Sequence, residues 1–167
     1  RSGFSGEFGH FNVFDNEIIC RCGKKGCLET EVSGSALHRI LCERVKNGQT
    51  SILSKRILTG DAPLTLEEIV EATNKEDILC IELVEEIGRK LGRYLAGLIN
   101  LFNPELVVIG GTLALTEDYI LQPIKTAIRK YSLNLVSKDS AVVLSKLQAK
   151  AGVVGACLLS RSKLFEW

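Results

Sequence analysis

The 167-residue chain contains no methionine, and it opens on Arg1 in a glycine-rich stretch rather than on an initiator residue. That opening reads as the interior of a longer protein, a fragment whose upstream part is missing. The N-terminus carries no signal-peptide pattern. No run approaches the ~18 consecutive apolar residues that a membrane-spanning helix needs, so no membrane partner is expected. An excess of one charge is lacking too. Lys and Arg number 21 against 20 Asp and Glu, a net +1, which excludes a nucleic-acid or anionic-membrane footprint on this part of the protein. Repeats and low-complexity segments are absent. What remains is ordinary globular composition, 46% apolar and 25% charged, on a length that supports one domain, 1–167, with a real core.

Along the chain, residues 4–14 ("FSGEFGHFNVF") show glycine punctuation and then an alternation suited to a strand. Residues 15–29 form a loop rich in cysteine and glycine. From about Thr30 the pattern turns helical, with Val32, Ala36, Leu37, Ile40, Leu41 and Val45 on one face and a stop at Asn47-Gly48. Residues 49–64 read as polar and irregular. Thr65-Leu66-Glu67-Glu68 has capping-box spacing and predicts a short helix. The strongest periodicity, over about 76–102, sets Val84, Ile87, Leu91, Leu95, Leu98 and Phe102 on one stripe and ends at Asn103-Pro104. Gly88, Gly92 and Ala96 lay a smooth strip along this helix, open either to tight packing within the chain or to an assembly surface. "LVVIGG" (106–111) predicts a strand buried on both faces. Residues 117–131 predict a helix with Pro123 in or near its first turn, 141–147 a strand, and 151–165 a final helix. Strands alternating with helices imply an α/β fold.

The densest chemistry lies in "GHFNVFDNEIICRCGKKGCLE", which holds one of the two histidines and three of the six cysteines. Six cysteines could make three disulfides in a secreted chain, but a Cys-x-Cys pair suits a metal better. The lack of a secretory signal points to a reducing compartment, the cytoplasm. His10, Cys20, Cys22 and Cys27 supply the four nitrogen and sulfur ligands of a closed structural zinc site. Gly23 and Gly26 let the backbone fold back, and Lys24 and Lys25 can offset the thiolate charge. The alternatives are three unrelated buried cysteines with a surface histidine, or a disulfide; a polar, glycine-rich segment offers little to bury thiols. Cys42, Cys80 and Cys157 sit on apolar helical patterns and read as core.

"GFSGEFGH" followed by "CRCGKKGCLE", with "NPELVVIGG" (103–111) and "AGVVGA" (151–156), resembles the signature of the ROK family of repressors, open reading frames and sugar kinases. The similarity covers essentially the whole chain and only the C-terminal half of the family's protein. It implies an actin-like, ribonuclease-H-type C-terminal lobe with a zinc-binding loop. Within that lobe, 4–30 would be the zinc and sugar segment and 105–165 the closing strands and helices. It also implies that a sugar or sugar-phosphate effector is held by Glu7, His10 and Glu29. Carboxylates accept charge-assisted hydrogen bonds from sugar hydroxyls, and a metal on one imidazole nitrogen leaves the other as a fixed donor. Taken alone, Glu7 could be a solvated turn residue and Glu29 a first-turn acid favoured by the helix dipole. Gly110 and Gly111 stand where the family's kinases approach adenosine, although a strand-to-helix turn asks for the same residues.

The family offers two functions. A kinase needs a general base and a phosphate loop. The resemblance puts these in an Asn-Asp pair and an Asp-x-Gly-x-Thr turn, and neither occurs in this chain, so no catalytic residue is assigned here. "GCLETEVS" and "LINLFNPELVVIGGTL" look like the repressor branch, whose DNA contact would come from an upstream winged helix-turn-helix in a dimer or tetramer. The expected function is therefore the effector-sensing and oligomerisation region of a sugar-responsive transcriptional regulator. The alternative is the C-terminal half of an ATP-dependent, glucokinase-like sugar kinase, with ATP as cofactor only in that case.

Overall fold

The computed structural model describes residues 3, 5–60 and 63–164. Phe4 and Phe165, at the ends of two expected elements, lie outside the described residues. Eight helices and two strands follow one another among the residues described: α1 (Glu29–Val32), α2 (Gly34–Lys46), α3 (Ser54–Thr59), α4 (Leu66–Asn74), α5 (Ile78–Phe102), β1 (Leu106–Ile109), α6 (Asp118–Tyr131), α7 (Asn134–Asp139), β2 (Ala141–Leu144) and α8 (Ala151–Leu164). The fold is α/β, as expected. No helix described is long and apolar enough to cross a membrane.

α5 is the axis of the molecule. Asp77 caps it by accepting from the Cys80 N–H at 2.9 Å, so the helix begins at Ile78 and not at 76, where Glu76 takes a positive φ. Val84, Ile87 and Leu95 are buried and Leu91 and Leu98 pack at the edge of the core. Phe102, expected on the same stripe, is exposed in the last turn. Asn103 then adopts the left-handed conformation and closes the helix ahead of Pro104. α2 lays Ala36, Leu37, Leu41 and Val45 into the core. The capping box at Thr65 and Glu68 is formed and starts α4.

The glycine strip of α5 faces α6 within the chain. A Cβ on Gly92 would lie 2.5 Å from the Ile124 carbonyl oxygen, and one on Gly88 2.9 Å from that of Ile120. The strip is thus used for packing, and it is not an assembly surface. Pro123 sits in the second turn of α6, further in than expected, and its ring carbon faces Gly88.

β1 and β2 pair in parallel, Leu106 beside Ala141 through Ile109 beside Leu144, and α6 and α7 form the crossover that parallel pairing requires. The expectation that β1 is buried on both faces is corrected. Val107 and Ile109 pack on the core while Leu106 and Val108 are 54% exposed. Side chains alternate across a strand, and helices cover only one face of this two-stranded sheet among the described residues. β2 is also shorter than the predicted 141–147.

Other differences have local causes. Residues 4–14 form no strand among those described; Phe8–His10 is a 3-10 turn, and one antiparallel bridge joins Asn12 to Cys27. The Phe8 and His10 N–H groups bond back to Gly6 and Glu7, which leaves the ladder unmade. The region 49–64, expected to be irregular, contains α3, and α7 was not foreseen either; both are too short to carry a periodic stripe. Cys80 is buried and Cys42 half-buried, but Cys157 is exposed, because α8 buries none of its described residues.

Candidate metal centre

The cysteine loop is built from backbone turns. Ile19 and Lys25 pair across it, the Cys20 N–H donates to the Lys24 carbonyl at 2.8 Å, and the Gly23 N–H donates to that of Cys20 at 2.8 Å. Gly26, at φ 72°, accepts from both Val13 and Phe14; a side chain there would drive into the Phe14 carbonyl. The Tyr94 hydroxyl, on α5, donates to the Val13 carbonyl at 3.0 Å, and its ring meets Phe14 edge-on. The loop is thereby fixed to the molecule's main helix. Lys25, expected to offset thiolate charge, pairs with Glu17 and closes the loop instead.

This framework gathers all four expected ligands. One donor atom each from His10, Cys20, Cys22 and Cys27 lies within 4.8 Å of the other three. Cys20 Sγ is 3.5 Å from His10 Nδ1, and the Cys22 and Cys27 sulfurs are 3.6 Å apart. A tetrahedral ion bound by thiolate at about 2.3 Å and imidazole at about 2.0 Å spaces its ligands roughly 3.5–3.8 Å apart. The observed separations match those edges and are too long for a disulfide, and all six cysteines are free. Burial, then the neighbouring Cys22 and Cys20 thiols, pushes Cys27 up to about 12. The Lys24 backbone N–H holds Cys22 below the usual thiol range. Three thiolates this close repel one another, and a divalent cation removes that cost.

The acids named with His10 converge on it. Glu7 Oε2 lies 3.6 Å from Nε2 and Glu29 Oε2 lies 3.7 Å from Nδ1. Both carboxylates and the imidazole remain partly open to solvent. The nitrogen on the Cys20 side is Nδ1, and Nε2 faces Glu7. Gly110 and Gly111 are not part of this cluster; they follow β1, where Gly110 lies against Ser145.

Four supporting residues escaped the sequence reading. Glu31 is largely buried in α1 and binds Lys90 of α5 at 2.9 Å, Arg39 of α2 at 3.6 Å and the Asn16 amide at 3.1 Å. Burial lowers the Lys90 pKa, but Glu31 and Glu86 outweigh it, and the net shift is upward. Arg39 also donates to the Thr30 carbonyl at 2.9 Å and lines, with Glu29, Thr30 and Ser35, a recess of about 220 Å³ beside the loop. Glu31 signals itself only as a second acid two residues after Glu29. Nothing in the sequence points to Lys90, 59 residues away.

The chain is similar to known proteins over most of its length. The DNA-binding transcriptional dual regulator NagC of Escherichia coli K12 is 34% identical over 164 residues, covering 98% of this chain and 39% of NagC. A glucokinase of Halalkalibacterium halodurans is 35% identical over 157 residues, covering 92% of this chain and 47% of that enzyme. The chain thus spans less than half the length of these relatives. Among solved structures, a ROK family transcriptional regulator homologous to E. coli Mlc matches with TM-score 0.73 at 31% identity, over 82% of this chain and 33% of that one. A ROK glucokinase of Streptomyces griseus, solved with glucose and AMPPNP, matches with TM-score 0.76 at 30% identity, over 95% of this chain and 52% of that one. The fold is thus that of ROK proteins, the actin-like sugar-kinase fold. The ROK family signature itself extends over residues 1–163, and the chain belongs to that family.

Proposed function

We propose that this chain is the effector-sensing lobe of a sugar-responsive transcriptional regulator, in which a structural zinc ion orders the residues that hold the sugar. The observation that carries the reading is the convergence of Glu7 and Glu29 on the two nitrogens of His10, at 3.6 and 3.7 Å, with Cys20 against Nδ1. His10, Cys20, Cys22 and Cys27 would hold the zinc, which supplies a rigid tetrahedral anchor without redox chemistry. His10 then presents Nε2–H at a fixed position. Glu7 and Glu29 accept from adjacent hydroxyls, and a charge-assisted hydrogen bond is about twice as strong as a neutral one. Ionised carboxylates only accept, so the site selects a ligand rich in donors, which a hexose is.

In the whole regulator, an N-terminal helix-turn-helix would contact DNA and the chain would assemble as a dimer or tetramer. Sugar would shift the population between assembly states to the extent that it binds one state better. The near-neutral charge of this lobe is consistent with DNA contact elsewhere. The similarity to glucokinases favours a second reading, the C-terminal half of a sugar kinase, with Gly110 and Gly111 approaching ATP.

His10→Ala tests the metal–sugar link: zinc content by elemental analysis and hexose affinity by calorimetry are expected to fall together. Sugar binding retained after zinc loss refutes the link.

A further inference from the structure

α5 and α6 touch closely at Gly88 and Gly92, and beyond that contact their surfaces splay into a groove of about 330 Å³. One bank carries Arg89, Lys90 and Arg93 of α5; the other carries Thr126, Ala127, Lys130 and Tyr131 of α6. Four cations line it and no acid does. Over the whole chain the two signs nearly cancel, to +1, so the groove is a local concentration of charge and not a sample of a basic protein. Acids outside it answer only half of this. Arg89 pairs with Glu85 at 3.2 Å, and Lys90 pairs with Glu31 and Glu86 at 2.9 and 3.0 Å. Arg93 and Lys130 have no carboxylate partner among the described residues.

These two cations are held in place by aromatic rings. The Arg93 guanidinium carbon lies 5.4 Å from the Tyr131 ring centroid and 6.0 Å from that of Tyr94, and Lys130 Nζ lies 5.4 Å from the Tyr131 centroid. At exposed sites such cation–π contacts are modest; they bias the orientation of both groups and lower part of the ordering cost of binding. Two like charges sharing one ring also repel each other, and an anion between them removes that repulsion. We propose that this groove binds a small phosphate monoester, its phosphate held by Arg93, Lys130 and Arg89 and its organic body lying on Ala127 and the Tyr131 ring.

The donor count selects phosphate over carboxylate. The Arg93 fork, the Lys130 ammonium and the Thr126 hydroxyl already offer more donors than a carboxylate can accept, whereas phosphate presents three oxygens and a double charge. The volume lies in the range of small-molecule clefts. The groove shares no residue with Glu7, His10 and Glu29, so the sugar reading and this one stand or fall separately.

Calorimetric titration at low ionic strength with inorganic phosphate and with phenyl phosphate tests the proposal, with backbone-amide NMR to map the site. Saturable binding is expected for both probes, tighter for phenyl phosphate, with shifts centred on residues 89–94 and 126–131. Arg93→Ala and Lys130→Ala should each weaken binding about tenfold, the scale of one charge-assisted hydrogen bond. Arg93→Lys keeps the charge, loses the fork and should retain part of the affinity. Arg129→Ala, on α6 outside the groove, should leave it unchanged. Lys90 is kept intact because it also holds Glu31. Failure of either probe to saturate, or an equal loss in Arg129→Ala, overturns the proposal.

Discussion

Replacing Gly92 by alanine sets two effects against each other on α5. In a helix interior alanine is favoured over glycine by about 1 kcal/mol, because the glycine backbone loses more freedom on folding. At this position the new methyl would sit 2.5 Å from the Ile124 carbonyl oxygen, 2.9 Å from its Cα and 2.8 Å from the Ala127 methyl. Two of these atoms are backbone and cannot rotate away, so α6 must move off α5 by roughly 1 Å to restore ordinary carbon contacts. That separation loosens Ile120, Ile124 and Ile128 against Val84, Ile87 and Leu95, all buried in one cluster. Overpacking of a formed core costs about 1–3 kcal/mol, and the upper part of that range applies where backbone is the obstacle. The net is a loss of about 1–2 kcal/mol, or a fall in Tm of roughly 2–8 °C for a domain of this size. Gly97 lies on the same helix with nothing within 4 Å of its Cβ position. Gly97→Ala should therefore raise stability by up to about 1 kcal/mol. Thermal and urea unfolding by circular dichroism, both at saturating zinc, compare the two variants on one helix. If Gly92→Ala melts at or above the parent temperature, the close approach of α5 and α6 is wrong.

Acid should release the proposed zinc ion. Cys27, pushed up to about 12 in the metal-free protein, is protonated at neutral pH and must lose that proton to bind, so apparent zinc affinity should fall at least about tenfold per pH unit on acidification; a flat profile in a zinc-indicator titration counts against a thiolate-held ion. Asp77→Ala should cost about 1–2 kcal/mol at neutral pH, because Asp77 caps α5 and accepts from the Ile52 N–H at 2.7 Å. Burial raises the Asp77 pKa, but the Ile52 and Cys80 N–H groups outweigh it and hold the carboxyl below its usual value of 3.8. Its contribution is therefore complete above that value and fades as pH falls through the lower folded one; the gap in urea midpoint between parent and variant should narrow in strong acid, and a constant gap would refute the ionic cap.

Much of the helical framework was legible in the sequence because it rests on local signals. Thr65 is a side-chain cap, Asn103-Pro104 is a stop, and the stripe from Val84 to Leu98 is long enough to fix a period; the Asp77 cap that starts α5 emerged only with the structure. The candidate metal cluster was legible for a related reason: chemistry restricts zinc to a few residue types, and His10, Cys20, Cys22 and Cys27 fall within one short stretch of sequence. Short elements were not legible. α3 and α7 have six residues each, too few for a stripe, and the alternation after Gly9 was overridden by turns that satisfy the backbone locally.

By itself, then, the sequence determined which of the longer segments are helical, and which four side chains can share an ion, since each of these depends on neighbours a few residues away or on donor chemistry alone. Only the tertiary structure decided that the glycine strip of α5 is consumed by α6, that one face of β1 stays open, that Glu31 reaches Lys90, and that Arg93 and Lys130 meet across a groove. These are contacts between residues far apart in the chain, and they exist only once the helices have packed.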